Sequence, residues 1–519
     1  MTKVNSALAE LSERAGDNFL RIAQVKARDR EENLRRAIEA YEKALQFFAA
    51  DAHRVRRAAL RNSIGVTYAG LADVRAKEAN LNLAITAYRE ALRVYSFEAF
   101  PQDYAMTQNN LGNAYQGLAD VREKEPNLNL AITAFRQALR VRTFEAFPQD
   151  YATTQNNLGN AYGSLAGVRD KEANLNLAIA AFREALRVRS FEAFPQHYAM
   201  TQNNLGNAYQ GLADVRDKEA SLNLAISAYR EALRVFSFET FPQRYATSQN
   251  NLGSAYGSLA DVREKEASLN FAITAYREAL RVYSFEGFPQ DYAMTQNNLG
   301  IAYGNLADVR DKEANLNLAI TAYREALRVH SFGAFPQDYA TTQNNLGTAY
   351  RNLADVRDKE ANLNLAITAF REALRVHSFG AFPQNYAMTQ NNLAIAYRNL
   401  AGVRDKEANL NLAIAAYREA LHVYSFEVFP QDYAMVQANL SVAYSNLATL
   451  RLLGGASEEG RDHLNAARTC CMEALKVYTE KAFRDRYESV TDRCKKIEAT
   501  LAELAEQRSG ESPRPPGSD

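Results

Sequence analysis

Apolar positions along the chain recur three and four residues apart, the spacing of one helix face, and no run alternates at the period of two expected of a strand. In residues 101–147, Ala105, Gln108, Leu111, Gly112, Tyr115, Leu118 and Ala119 share such a face and predict a first helix, helix A. Pro101 suits its first turn, where a missing N–H costs nothing. After the polar stretch Arg122 to Glu125, Asn127 is the expected N-cap of a second helix, helix B. Its face carries Leu128, Ala131, Ile132, Phe135, Ala138 and Leu139.

The same pattern returns every 47 residues, with the proline of a Phe-Pro-Gln tripeptide at Pro101, Pro148, Pro195, Pro242, Pro289, Pro336, Pro383 and Pro430. A period of this length signals a solenoid, because one unit buries too few apolar groups to offset the entropy of ordering itself. The chain divides into an N-terminal cap with a degenerate first repeat (1–53), eight 47-residue repeats (54–429) and a last repeat with a seven-residue insertion (430–483). A C-terminal capping helix (484–507) and a Ser/Gly/Pro-rich tail (508–519), expected to be disordered, complete it. The first repeat is read from Ala37, Ile38, Tyr41, Ala44 and Leu45, each 47 residues before its counterpart in the next unit. The fold class expected is therefore all-α, about ten antiparallel helix pairs stacked as a solenoid.

The motifs Asn110-Leu111-Gly112-x-x-Tyr115 and Ala131-x-x-x-Phe135-x-x-Ala138 resemble the tetratricopeptide repeat, whose helices A and B carry Leu-Gly-x-x-Tyr and Ala-x-x-x-Phe/Tyr-x-x-Ala. The resemblance recurs through nearly the whole chain, but the unit is 47 residues where the common repeat has 34, and Gln108 stands where the family often has Trp. The longer form, Phe-Pro-x-x-Tyr-Ala-x-Thr-Gln-Asn-Asn-Leu-Gly, is similar to repeat arrays joined to CHAT peptidase or STAND nucleotide-switch domains in bacterial proteins. The resemblance implies a right-handed superhelix whose concave groove is lined by helix A. It implies a non-catalytic scaffold that binds a peptide or partner protein, or else a sensor arm acting with a separately encoded effector.

Aligning the units with one another shows where they vary. Numbered by unit 101–147, column 106 alternates Met and Thr, column 113 reads Asn113, Asn160, Asn207, Ser254, Ile301, Thr348 and Ile395, and column 116 ends in Arg351 and Arg398. Columns 106, 109, 113, 116 and 117 form a second stripe beside the core face of helix A. Its constant part is an Asn pair: Asn109 and Asn110, Asn156 and Asn157, Asn203 and Asn204, Asn250 and Asn251, Asn297 and Asn298, Asn344 and Asn345, Asn391 and Asn392. An amide side chain both donates and accepts, so such a ladder can hold the main chain of an extended peptide without reading its side chains. The resemblance points the same way, since in kinesin-light-chain-like and chaperone-binding members the Asn before the helix-A Leu, here Asn110 and its equivalents, grips ligand main chain. The alternative is that one Asn of each pair bonds across to the adjoining helix. The lysines with which some members clamp a C-terminal carboxylate are missing from the stripe, which argues against that mode.

Charge and candidate chemistry narrow the function further. Lys+Arg and Asp+Glu both number 61, so no chain-wide basic field favours nucleic acid, and neither nucleic acid nor a membrane is an expected partner. No apolar run approaches a membrane span, the residues from Met1 to Gly16 lack a secretory h-region, and three cysteines make a disulfide framework implausible, so a cytoplasmic location is expected. Six histidines offer little for catalysis or metal binding. His330 and His377 share a column with Tyr95, Arg142, Arg189, Phe236, Tyr283 and Tyr424 that reads as exposed and variable, without companion ligands. Cys470 and Cys471 read as buried packing, and the near phosphate-loop pattern from Gly455 to Asp462 as a flexible insertion. The charged run typified by Asp214 to Glu219 reads as a solvated helix end. No enzyme activity, cofactor or metal is expected.

Overall fold

The computed structural model describes residues 2–25, 29–48 and 52–510. Among them every element is a helix, and the chain forms two compact units, residues 1–264 and 265–519. The first unit holds α1 (Thr2–Val25), α2 (Arg30–Phe47), α3 (Arg54–Ala72), α4 (Lys77–Leu92), α5 (Pro101–Ala119), α6 (Lys124–Leu139), α7 (Pro148–Ala166), α8 (Lys171–Leu186), α9 (Pro195–Leu212), α10 (Lys218–Leu233) and α11 (Pro242–Leu259). The second holds α12 (Lys265–Leu280), α13 (Pro289–Ala307), α14 (Lys312–Leu327), α15 (Pro336–Leu353), α16 (Lys359–Leu374), α17 (Pro383–Ala401), α18 (Lys406–Leu421), α19 (Pro430–Leu453), α20 (Ser457–Leu475) and α21 (Arg484–Gly510).

Helix A begins at the proline, whose preceding Phe100 supplies the carbonyl that Tyr104 N–H bonds at 2.8 Å. Helix B begins three residues before Asn127. The residue ahead of it sits in the left-handed region, as at Glu123 (φ 45°) and Asp170 (φ 45°), and turns the chain back sharply. Asn127 is therefore no N-cap: it lies within α6, and its Nδ2 donates to the carbonyl of Arg122 at 2.9 Å, serving a group the reversal would otherwise strand.

The two helices of a pair run antiparallel, since Tyr104 near the start of α5 donates to Gln137 near the end of α6, and Tyr151 to Glu184 likewise. Their backbones approach so closely that a Cβ at Gly112 would stand 2.5 Å from the Phe135 ring, which favours glycine in that column up to Gly347, with Ala394 and Ser441 in the last two repeats. Leu111, Tyr115, Leu118, Leu128, Ile132 and Phe135 are buried as the periodicity predicts, whereas Leu139 is half-buried. In the degenerate first repeat Tyr41 is fully buried over Gly16, reproducing the same glycine-aromatic contact.

Successive pairs then stack within each unit through repeated latches. Arg136 of α6 donates to Tyr162 of α7 at 2.5 Å, and Arg324 of α14 to Tyr350 of α15 at 2.5 Å. The charged run ahead of helix B is exposed but paired between neighbours: Lys171 meets Asp214 at 2.7 Å and Arg216 meets Glu172 at 3.2 Å. Exposed pairs of this kind are individually weak and align one repeat with the next. The insertion of the last repeat is not a flexible loop. It lengthens α19 to Leu453, and Gly460 to Asp462 lie inside α20, where a Cβ on Gly460 would stand 2.6 Å from Leu452. Helix α21 runs through 508–510 into the expected tail; residues 511–519 lie outside the described residues.

Candidate peptide-binding stripe

The two members of each Asn pair have different surroundings. Asn109, Asn156, Asn250, Asn344 and Asn391 are buried, while Asn203 and Asn297 are half-buried. Their amide oxygens accept from the following helix A: Asn109 from Thr154 at 3.2 Å and Asn157 at 3.3 Å, and Asn156 from Thr201 at 3.2 Å and Asn204 at 3.4 Å. Asn297 accepts from Asn345 at 3.3 Å, Asn344 from Asn392 at 3.2 Å, and Asn203 from Ser248 at 3.1 Å. The first Asn is thus a bridge between repeats.

The second members, Asn110, Asn157, Asn204, Asn251, Asn298, Asn345 and Asn392, are all half-buried. Asn157, Asn204 and Asn345 each give one Nδ2 hydrogen to the ladder and keep the amide oxygen without a protein partner. Asn251 donates instead to Asn207 at 3.2 Å, and the Asn392 oxygen accepts from Arg351 at 3.4 Å. Beside them Asn113, Met294, Ile301 and Met388 are exposed, Asn160 is half-buried, and Asn110, Asn113 and Asn160 make no side-chain bond to the protein. Around Asn207, Gln210 and Gly211 the stripe sinks into a recess of about 300 Å³. A second recess, about 330 Å³, lies against Met294, Asn297 and His330.

Column 116 meets helix B from below. The hydroxyl of Tyr229 on α10 reaches Asn207 Oδ1 at 2.7 Å and Gln210 Oε1 at 3.0 Å. Farther along, Arg351 bonds Asn392 and Asn352, and Arg398 bonds Asn439 at 3.5 Å. Burial pulls the Arg351 guanidinium below its usual range, Asp355 and Tyr417 oppose that shift, and Arg398 adds to it.

The column of His330 and His377 is not exposed. Its members are buried throughout, including Tyr95, Arg142, Arg189, Phe236, Tyr283 and Tyr424, because each lies against the start of the next helix A. The Arg and His members meet one row of hydroxyls: Arg142 donates to Thr154 at 3.0 Å, Arg189 to Thr201 at 2.9 Å, and His377 Nδ1 lies 3.0 Å from Thr389 Oγ1. Length is what these residue types share, since Phe236 is buried there without a polar tip; where the tip is polar, as at Arg142, it connects this column to the Asn bridge through Thr154. Among the described residues no cluster of His, Cys, Asp and Glu could hold a metal, and no helix is long and apolar enough to cross a membrane. Cys470 and Cys471 are buried, and burial, with Cys471 alongside, pushes the Cys470 thiol up to about 12.

No family model matches the chain, and no curated protein matches it. Among solved structures it is similar to the C-terminal part of a TPR repeat-containing protein from Cytophaga hutchinsonii, at 16% identity over 59% of this chain and 93% of that one, with a TM-score of 0.36. It is also similar to human IFIT1, solved as a dimer with PPP-AAAA, at 14% identity over 89% and 94% of the two chains and a TM-score of 0.40. The apo form of RapI aligns at 15% identity over 80% and 97%, with a TM-score of 0.44. The class rests on the helix pairing itself: glycine-aromatic hairpins, repeated at 47 residues and stacked within each unit, make a tetratricopeptide-like helical-repeat protein.

Proposed function

We propose that the chain is a non-catalytic scaffold whose helix-A stripe binds an extended peptide segment of a partner protein. The observation that carries this reading is the recurrence on helix A, at Asn157 and Asn204 in the first unit and at Asn345 in the second, of half-buried Asn oxygens without protein partners. Each can accept from a main-chain N–H, and the ladder bond to the first Asn sets its orientation in advance, which lowers the entropy lost on binding. A protein ligand rather than nucleic acid fits the zero net charge and the absence of Lys and Arg from most of the stripe. The long Phe-Pro-Gln form of the repeat favours, as a second reading, a regulatory arm that works with a separately encoded CHAT-like or STAND-like effector.

The test is selection of random twelve-residue peptides on the immobilised chain, followed by photo-crosslinking from single sites. Crosslinks from positions 294 and 388 on the stripe, and none from 318 and 365 among the exposed leucines of helix B, are the expected result. Crosslinks confined to helix B would reject the stripe.

A further inference from the structure

The stripe changes character toward its end. Column 116 reads Gln116, Gly163, Gln210, Gly257, Gly304, Arg351 and Arg398, with Ser445 in the last repeat, so two cations fall side by side in an otherwise uncharged row. Between columns 106 and 117 of α13, α15, α17 and α19 there is no other Lys or Arg. Neither Arg351 nor Arg398 forms an ion pair, although arginines elsewhere in the array meet carboxylates, as Arg357 meets Glu313 at 2.7 Å. Their acceptors are amide oxygens at 3.3–3.5 Å, which leave most of ten guanidinium N–H donors unused.

Tyr417 gives the second, independent sign. It occupies the place of Tyr229, whose hydroxyl is served by Asn207 and Gln210. Around Tyr417 those two columns hold Ile395 and Arg398, an alkyl group and a cation, and neither can accept a hydrogen bond. Tyr417 is 0% exposed and its hydroxyl has no partner. In the comparable pair the tyrosine hydroxyl lies 4.0 Å from the ideal Cβ of Gly304, so this ring directs its oxygen at column 116. Burial raises the Tyr417 hydroxyl to about 12, and the positive charges of Arg398 and Arg351 pull it back. The buried Ser445 Oγ in the same column also has no partner. Two guanidinium groups and a phenol hydroxyl thus gather unused donors, and the phenol oxygen, though able to accept, takes no bond from either arginine.

We propose that Arg351, Arg398 and Tyr417 form an oxyanion pocket that holds the side-chain carboxylate of an Asp or Glu in the bound peptide. The pocket itself stands on the donor cluster; the peptide as source of the carboxylate rests on the function proposed above. A carboxylate matches the planar guanidinium in two-point fashion and leaves an oxygen for the Tyr417 hydroxyl. One such anchor would set the register of a peptide whose main chain the Asn ladder holds without reading sequence. Two isolated cations suit one oxyanion, whereas a nucleic acid strand needs a series of phosphate contacts.

The variants come from the array itself. Arg351→Gln and Arg398→Gln install the residue of Gln116 and Gln210, and Tyr417→Phe installs that of Phe135, Phe182 and Phe370, so each fold is already represented. Thermal unfolding of the full chain is followed in glutarate, inorganic phosphate or chloride at equal ionic strength. Glutarate is expected to raise the melting temperature by about 2 °C and phosphate by less, and Arg398→Gln is expected to abolish the gain. Peptides selected on the chain should share one acidic position, and changing it to the amide, or using the Arg398→Gln protein, should weaken binding at least about tenfold. Absence of any Arg398-dependent glutarate effect together with selected peptides indifferent to acid would overturn the pocket and leave the peptide stripe standing. A glutarate effect without any peptide binding would keep the pocket but reject the peptide assignment. Tighter, Arg398-dependent binding of a twelve-nucleotide oligouridine would overturn it in favour of RNA.

Discussion

Tyr229 and Tyr417 occupy the same place in their helix pairs, both fully buried, yet removal of the hydroxyl should affect them in opposite directions. At Tyr229 the hydroxyl meets Asn207 at 2.7 Å and Gln210 at 3.0 Å, and Tyr229→Phe forfeits an interaction worth about 0.5–1.5 kcal/mol. Both former acceptors lie at the stripe surface and turn to water, which keeps the loss near the lower end of that range. At Tyr417 the hydroxyl is desolvated without return, at a cost of about 1–3 kcal/mol, and Tyr417→Phe recovers part of it, about 1 kcal/mol. Ring volume is unchanged in both, so packing drops out of the comparison. A long array does not unfold as one unit, and the assay must therefore be local: native-state hydrogen exchange of peptides from α10 and α18. About 1.4 kcal/mol corresponds to a factor of ten, so α10 exchange should accelerate severalfold in Tyr229→Phe, and α18 exchange should slow severalfold in Tyr417→Phe. Equal signs in the two variants would refute the claim that Tyr417 lacks an acceptor.

Three further outcomes follow from the geometry. Gly159→Ala places a methyl 2.6 Å from the Phe182 ring, and overpacking of about 1–3 kcal/mol exceeds the helix propensity gained; because Ala394 is accommodated opposite Tyr417, the net loss should be about 1 kcal/mol in urea unfolding, and a gain would contradict it. Ala76, at φ 46°, bears the cost of a left-handed residue with a Cβ, and Ala76→Gly should raise stability by about 0.5–1 kcal/mol, with an unchanged or lowered melting point counting against that strain. Burial holds the His377 imidazole below its unfolded pKa of about 6.5, so the unfolded chain binds more protons, stability is whole above that pH and it falls as pH drops toward the folded value. His377→Tyr, the residue of Tyr424, should lessen the drop in melting temperature between pH 7.5 and pH 5; an identical drop would contradict burial of a neutral imidazole.

Much of this architecture was legible because one pattern repeats. Pro101 marks the start of helix A, and the core columns from Leu111 to Phe135 are buried as their spacing implies. The start of helix B was not legible, because a left-handed backbone at Glu123 or Asp170 leaves no composition signal that separates it from an ordinary polar turn. The column of Tyr95, Arg142 and His330 misled for another reason. Its chemical variety looks like surface drift, yet the site selects reach, which tyrosine, arginine, histidine and phenylalanine all supply, and tolerates a polar tip because Thr154 and Thr342 can meet it. Helical spacing carried no sign that Arg136 donates to the core Tyr162 of the next repeat. Within the Asn pair, spacing alone gave no way to separate the two members; burial divides them into a bridge, Asn109, and a surface amide, Asn110.

The proposal that the surface amides hold a peptide main chain is tested most directly by calorimetric titration of a selected peptide into the wild-type chain and into a variant with Asn298 and Asn345, on adjacent repeats of the second unit, changed to Ala, with thermal unfolding of both proteins alongside. Two main-chain bonds at about 0.5–1.5 kcal/mol each predict binding weaker by at least about fivefold, with a melting temperature lowered only slightly because the one ladder bond lost, from Asn345, is long, at 3.3 Å. Unchanged affinity with a strongly lowered melting temperature would show that the amides brace neighbouring helices and that the stripe does not bind through them.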